Sequence, residues 1–233
     1  MDTHTVDRSL TFPERAVSVQ VGPVHIRGDL VVPREAIGLV IFAHGSGSSR
    51  MSPRNRFVAG LLNRARLGTL LADLLTPQEE EADRYSREYR FDIPMLARRI
   101  CGLVAWAREA DATGDLPVGL FGASTGAAAA LVAAALRPGE VDAVVSRGGR
   151  PDLAGAYLPA VFCPTLLIVG GLDDIVIDLN RRAMAKMRCE RALEIVPGAT
   201  HLFEEPGTLE AVSGLARDWF QAHLEMQALV TAG

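Results

Sequence analysis

The 233-residue sequence predicts an α/β fold: one domain on a mostly parallel twisted sheet, with helices on both faces and no large lid. Three observations carry that expectation. Strand-like and helix-like segments alternate along most of the chain after an opening hairpin. Gly38–Ala43 is a continuous apolar run, as a strand buried on both faces must be. An apolar strand, Pro117–Phe121, runs into Gly122-Ala123-Ser124-Thr125-Gly126 and then into the alanine-rich helical run Ala127–Leu136.

The elements follow in order. Val17–Val21 and Val24–Val32 read as an antiparallel pair around a Gly22-Pro23 turn. Asn55–Arg66 places Val58, Leu61, Leu62 and Ala65 at helical spacing. Gly68–Asp73 is a strand, and the polar stretch Thr76–Arg90 is expected to be a solvated loop. Phe91–Ala110 is a long amphipathic helix. Ala127–Leu136 is apolar all round with small side chains, which suits a helix packed tightly on the sheet. Val141–Ser146 and Pro164–Val169 are further strands, and about 17 residues (147 to 163) between them leave little room for a lid. Asp178–Met187 is a helix, Ala192–Val196 a strand and Leu209–Leu224 the final helix. Residues 1–14 and 226–233 are expected as tails around a single domain spanning 15–225.

Composition narrows the function classes. The hydrophobic fraction is 48% and the charged fraction 22%, an ordinary globular balance. A net charge of −4 argues against a nucleic-acid partner. The longest apolar run is too short for a membrane span of roughly 20 residues. Met1–Leu10 is polar, so no signal peptide is expected. Cys101, Cys163 and Cys189 are scattered and odd in number, which fits free thiols in a cytoplasmic protein. No Cys-x-x-Cys or histidine cluster suggests a metal, and no cofactor is expected.

The chemistry-bearing residues fall at strand ends, where α/β sheets place function. Ser124, flanked by Gly122 and Gly126, is the candidate nucleophile on a sharp strand-to-helix turn; helix capping is its plainer role. A serine hydroxyl needs an adjacent base. His201, beyond the strand ending at Val196, is the candidate; His4, His25, His44 and His223 are less well placed. Asp173, after Leu166–Val169, is the candidate orienting carboxylate. Asp174 is its rival and, like Asp178, suits a helix cap. The glycine-rich run His44-Gly45-Ser46-Gly47-Ser48-Ser49 lacks the ending of a phosphate-binding loop and suits an oxyanion hole. The N–H groups of Ser46 and Thr125 are the expected donors.

Arginines gather at the same rim: Arg50, Arg54 and Arg56, then Arg147 and Arg150. Arg50 and Arg147 are the candidates to clamp a substrate carboxylate or phosphate. The alternative for the first three is surface pairing with Glu79, Glu80, Glu81 and Asp83. Glu204 and Glu205 read as first-turn charges of the last helix.

These motifs resemble the α/β-hydrolase superfamily and, within it, the small dienelactone-hydrolase-like branch. Phe42–Arg50, Ser146–Asp152 and His201–Gly207 look like a bacterial subgroup that occurs alone or fused to a phosphoribosyltransferase-like domain. The resemblance spans about residues 15 to 224 and implies a triad of Ser124, Asp173 and His201. Dienelactone hydrolases proper carry cysteine at the elbow, so Ser124 turns the expectation towards a general serine esterase. The expected activity is hydrolysis of carboxylic esters, with thioesters and lactones in range. Acyl transfer by the same triad and a non-catalytic binding module are the alternatives. The expected partner is a small-molecule ester, and a homodimer and a phosphoribosyltransferase-like partner are both compatible with the sequence.

Overall fold

The structure, a computed structural model, describes residues 12–231. Most of the expected N-terminal tail and the last two residues of the C-terminal one lie outside the described residues.

Eight strands form one sheet in the order β1-β2-β4-β3-β5-β6-β7-β8. β1 (Arg15–Val21) and β2 (Val24–Val31) make the expected hairpin, and β2 pairs antiparallel with β4 (Leu67–Ala72). From β4 onward every pairing is parallel, through β3 (Gly38–Ala43), β5 (Val118–Ala123), β6 (Ala143–Arg147), β7 (Thr165–Gly170) and β8 (Arg191–Val196). The winding direction reverses between β3 and β5. At that switch point the loops leaving two neighbouring strands part and open a crevice at their carboxyl ends. β3 and β5 end almost level, with Ala43 opposite Gly122.

The apolar strands are continuous because both faces are covered. Val40 and Phe42 pack with Val58 and Leu62 of α1 (Pro53–Arg64) and Phe220 of α6 (Thr208–Thr231). Leu39 and Ile41 point the other way, to Ile100 and Leu103 of α3 (Ile93–Glu109) and Leu131 of α4 (Thr125–Leu136). Phe42 and Phe121, opposite one another on β3 and β5, have ring centroids 4.9 Å apart. Each such side chain contributes about 1.5–3 kcal/mol when fully buried. α5 (Asp174–Met184) starts four residues earlier than its spacing suggests. α6 continues to Thr231, into the stretch expected as tail.

Thr76–Arg90 is where the structure departs most from expectation. It forms α2 (Pro77–Ser86) and a 3₁₀ turn, Tyr89–Phe91. The Glu79 N–H donates to Thr76 Oγ1 at 3.3 Å, and the Thr76 N–H donates to Glu79 Oε2 at 2.8 Å. This reciprocal pair satisfies two orphan donors of the first turn. Arg99 of α3, itself buried, donates to Glu79 Oε2 at 2.8 Å and to the Leu74 carbonyl, clamping α2 to the domain. Burial opposes ionisation of Glu79, but the bonds from Arg99 and Thr76 hold its carboxyl below the usual range. Reading polarity alone missed the helix; Thr-Pro-x-Glu was its start signal.

The alanines of α4 let its axis approach β5 and α3 closely, and Thr125–Ala134 are buried. Two glycines carry the approach at its tightest. A Cβ on Gly122 would sit 2.4 Å from Ala127 Cα, and one on Gly126 would sit 2.2 Å from the Ala43 carbonyl oxygen. Gly126→Ala is therefore expected to cost about 3 kcal/mol or more, the upper range for overpacking. Gly60→Ala, in α1 with open space where its Cβ would stand, should instead stabilise by about 0.5–1 kcal/mol. Urea unfolding of both variants checks the contrast.

Candidate active site

β5 ends at Ala123 and α4 begins at Thr125, so Ser124 alone makes the turn, at φ 50° and ψ −121°. Such backbone costs on the order of 1–3 kcal/mol outside glycine and persists only where its surroundings impose it. The Ser124 N–H donates to the Arg147 carbonyl at 3.2 Å, and its own carbonyl accepts from Ala127 and Arg150 at 3.1 Å each. The backbone is thus held from both sides. Ser124 stands at the N-cap position, yet its side chain makes no capping bond. Helix capping does not explain this serine.

Asp173 and His201 meet. His201 Nδ1 donates to Asp173 Oδ2 at 2.7 Å. Asp173 precedes α5 but does not cap it, so its carboxylate is committed to the imidazole. Asp174 opens α5 and makes no bond to His201. Glu205 accepts from the Thr200 hydroxyl at 2.6 Å and the Thr200 N–H at 3.1 Å, which shapes the loop carrying His201. Those two bonds hold the Glu205 carboxyl below its ordinary value. α6 starts only at Thr208, so Glu204 and Glu205 belong to this loop and not to the helix. His201 Cε1 lies 3.6 Å from where a side chain would begin on Gly148, next to the residue whose carbonyl holds Ser124. The fold brings Asp173 to His201, and His201 to the strand end beside Ser124.

The loop after β3 passes over the elbow; a Cβ on Gly45 would sit 3.1 Å from Ser124 Cβ. The Ser46 N–H donates to Thr125 Oγ1 at 3.0 Å, so this expected oxyanion donor already has an acceptor. The Thr125 N–H, first in α4, has no acceptor within the helix. His44 is structural. It is buried, its Nδ1 donates to the Gly45 carbonyl, and its Nε2 accepts the Leu74 N–H, both at 2.9 Å. Arg50 is turned inward: its N–H donates to Asp73 Oδ1 at 2.9 Å, and its guanidinium pairs with Asp73 and with Asp29, 3.3 Å away. It braces the loop to β4 and β2 and offers no free guanidinium to a substrate. Arg56 pairs with Asp29 and Glu14, Arg54 with Glu204 and Arg150 with Asp152, so the expected partners in α2 are not the ones used. Arg147 closes β6 and is buried without an acidic partner among the described residues.

A cavity of about 150 Å³ opens beside this constellation, walled by Gly45, Ser49, Thr125, Leu75, Arg90 and Leu96 among others. Ser124, Asp173 and His201 lie outside its lining, so it flanks them on the oxyanion-loop side. Its far wall is α2 and the turn after it, which polarity had marked as plain loop. Asp83 of α2, 2% exposed, anchors that wall by accepting from the Tyr89 and Arg90 backbone amides and the Arg90 guanidinium. Among the described residues no helix is long and apolar enough to cross a membrane, and no cluster of acidic, cysteine and histidine side chains could hold a metal ion.

Burial pushes the His44 pKa below its ordinary 6.5; the Gly45 carbonyl, Asp73 and Glu80 offset this only in part. The unfolded chain therefore takes up a proton that the folded chain excludes. Stability is expected to fall as pH drops below about 6.5, and His44→Gln should flatten that slope. Urea unfolding at a series of pH values gives the number of protons taken up.

Comparison with known proteins gives the family and the fold. A Mycobacterium tuberculosis protein provisionally named a phosphoribosyl transferase is 56% identical over 221 residues, covering 94% of this chain and 49% of its own length. The chain thus spans about half the length of the curated relatives it matches. A crystal structure of a dienelactone hydrolase from Anabaena variabilis is 57% identical, with a TM-score of 0.90 over 91% of this chain and 98% of that one. Est1E from Butyrivibrio proteoclasticus shares the fold at 16% identity, with a TM-score of 0.73 over 89% and 98%. The profile of the dienelactone hydrolase family matches residues 70–227, which hold the elbow, Asp173 and His201. With more than half of its length under that profile, the chain belongs to the dienelactone hydrolase family.

Proposed function

We propose that this protein is a serine hydrolase of carboxylic esters that works through an acyl-enzyme on Ser124. The observation that carries the reading is the 2.7 Å bond from His201 Nδ1 to Asp173, made beside an elbow serine that caps no helix. With Nδ1 carrying the proton, Nε2 is the basic nitrogen. Ser124 Oγ attacks the acyl carbon while His201 Nε2 takes its proton, and Asp173 stabilises the imidazolium. The tetrahedral oxyanion is held by the N–H groups of Thr125 and Ser46, aided by the positive end of α4. Ser46 exchanges its present acceptor, the Thr125 hydroxyl, for that oxyanion. His201 then protonates the leaving alcohol and activates the water that releases the acid. Catalytic hydrogen bonds of this kind commonly tighten only once substrate is present. The small cavity beside Thr125 suits a short acyl or alcohol group. This hydrolase unit works alone or beside a phosphoribosyltransferase-like partner.

The test is hydrolysis of p-nitrophenyl esters from acetate to long acyl chains. Turnover should be best with short chains, and Ser124→Ala should lower kcat about 10⁴- to 10⁶-fold. Asp173→Asn should cost about 10⁴-fold, while Asp174→Asn leaves kcat nearly unchanged. Persistent turnover by Ser124→Ala, with no fluorophosphonate label on the wild type, would refute the acyl-enzyme.

A further inference from the structure

Arg147 has no part in that chemistry, and its surroundings do not account for it. The residue is 8% exposed. Its Nε and Nη1 are buried without a partner, and Nη2 reaches only Asn55 Oδ1, at 3.5 Å. No carboxylate among the described residues pairs with it. An uncompensated buried charge is costly. Burial lowers the Arg147 pKa to about 10, and the nearby Arg54 charge adds to the effect.

The neighbours of Arg147 are also positive. Asn55 lies in the first turn of α1, so the guanidinium sits at the end of a helix that favours anions. Ser52 caps the Asn55 N–H there. Arg54 has a buried Nε with no partner, and its Nη1 donates to Glu204 at 2.9 Å. That last pair faces water, the two side chains being 32% and 62% exposed. Two guanidinium groups and a helix N-terminus thus lie close together, and of these only Arg54 has an acidic partner among the described residues, the exposed Glu204. All of this adjoins the Arg147 carbonyl that holds the nucleophile's N–H.

We propose that Arg147 and Arg54 form a binding site for a phosphate group carried by the ester substrate, filled when Glu204 releases Arg54. A carboxylate offsets one of the two cations. A phosphate, with a charge of about −1.5 to −2, offsets both and presents the oxygens that a guanidinium fork grips. The inference names the substrate class for the hydrolase reading above and rests on it. Its binding arm does not need turnover.

Inorganic phosphate, acetate and chloride are titrated at equal ionic strength into wild type and Ser124→Ala, followed by thermal unfolding and calorimetry. Phosphate should raise Tm in both, and acetate should do so less. Arg147→Met should lose the response while being the more stable protein without phosphate, because an unpaired buried charge is gone. Arg54→Gln should weaken phosphate about tenfold, and Glu204→Gln, lacking the competing carboxylate, should tighten it. These two half-exposed positions decide the matter if Arg147→Met does not fold. An unchanged phosphate response in Arg147→Met, acetate matching phosphate, or weaker binding in Glu204→Gln would overturn the site. In the second arm, kcat/KM for the acetyl ester of glycerol phosphate should exceed that for the acetyl ester of glycerol, with the gain absent in Arg147→Met. Phosphate binding without that gain would mean a free-ion site and overturn the substrate assignment. Turnover of neither ester would fail the hydrolase reading and leave the binding arm to stand or fall alone.

Discussion

The close approach of α4 to the end of β3 is the constraint on which the site depends. Gly126 lies so near the carbonyls of Ala43 and His44 that no side chain fits between them. Gly122 stands equally close to Ala127. Between these two contacts the chain must reverse in one residue, and Ser124 takes a backbone shape that an L-residue adopts only under compulsion. The strain lifts the side chain out of the helix-capping geometry that a serine in that position otherwise takes. Its uncommitted hydroxyl and the position of the first amide of α4 beside it are two results of one packing contact.

Charge does the second part of the work, and mostly as bracing. The loop that crosses the elbow is tied down by His44 to the segment after β4, and by Arg50 to Asp73 and Asp29. Arg99 ties α2 to α3 in the same way. Of these groups, Arg50 reads in the sequence as a free charge at the rim. Each is used inside the protein, because a loop carrying backbone donors must be stiff before those donors can be aimed. Arg147 is the exception. It sits among these braces with nothing to brace, and this is what the proposal of a recognition role for it rests on.

The sheet and the candidate residues of the proposed site were legible in the sequence because their signals are local. Continuous apolar runs mark strands buried on both faces, and Gly122-Ala123-Ser124-Thr125-Gly126 marks the turn that joins such a strand directly to a helix. The choice of Asp173 over Asp174 followed from spacing, and the structure turns the Asp173 carboxylate to His201. α2 was missed because its residues are polar on nearly every side; its start signal lies in the Thr76–Glu79 capping pair and not in any hydrophobic stripe. The misplacement of Glu204 and Glu205 has the same origin, since a short acidic run before a helix resembles its first turn.

By itself the sequence determined the parallel sheet and the elbow, and it picked out Ser124, Asp173 and His201 as candidates, since each of these signals depends on residues adjacent in the chain. Only the tertiary structure decided how Arg50, Arg54, Arg56, Arg150 and His44 are used. A charge acquires its role from whichever partner the fold sets within a few ångströms of it. Asp29 and Asp73 reach Arg50 from β2 and from the end of β4, Leu74 reaches His44, and no acid reaches Arg147. Those distances are properties of strand order and helix placement, which no local stretch of residues contains.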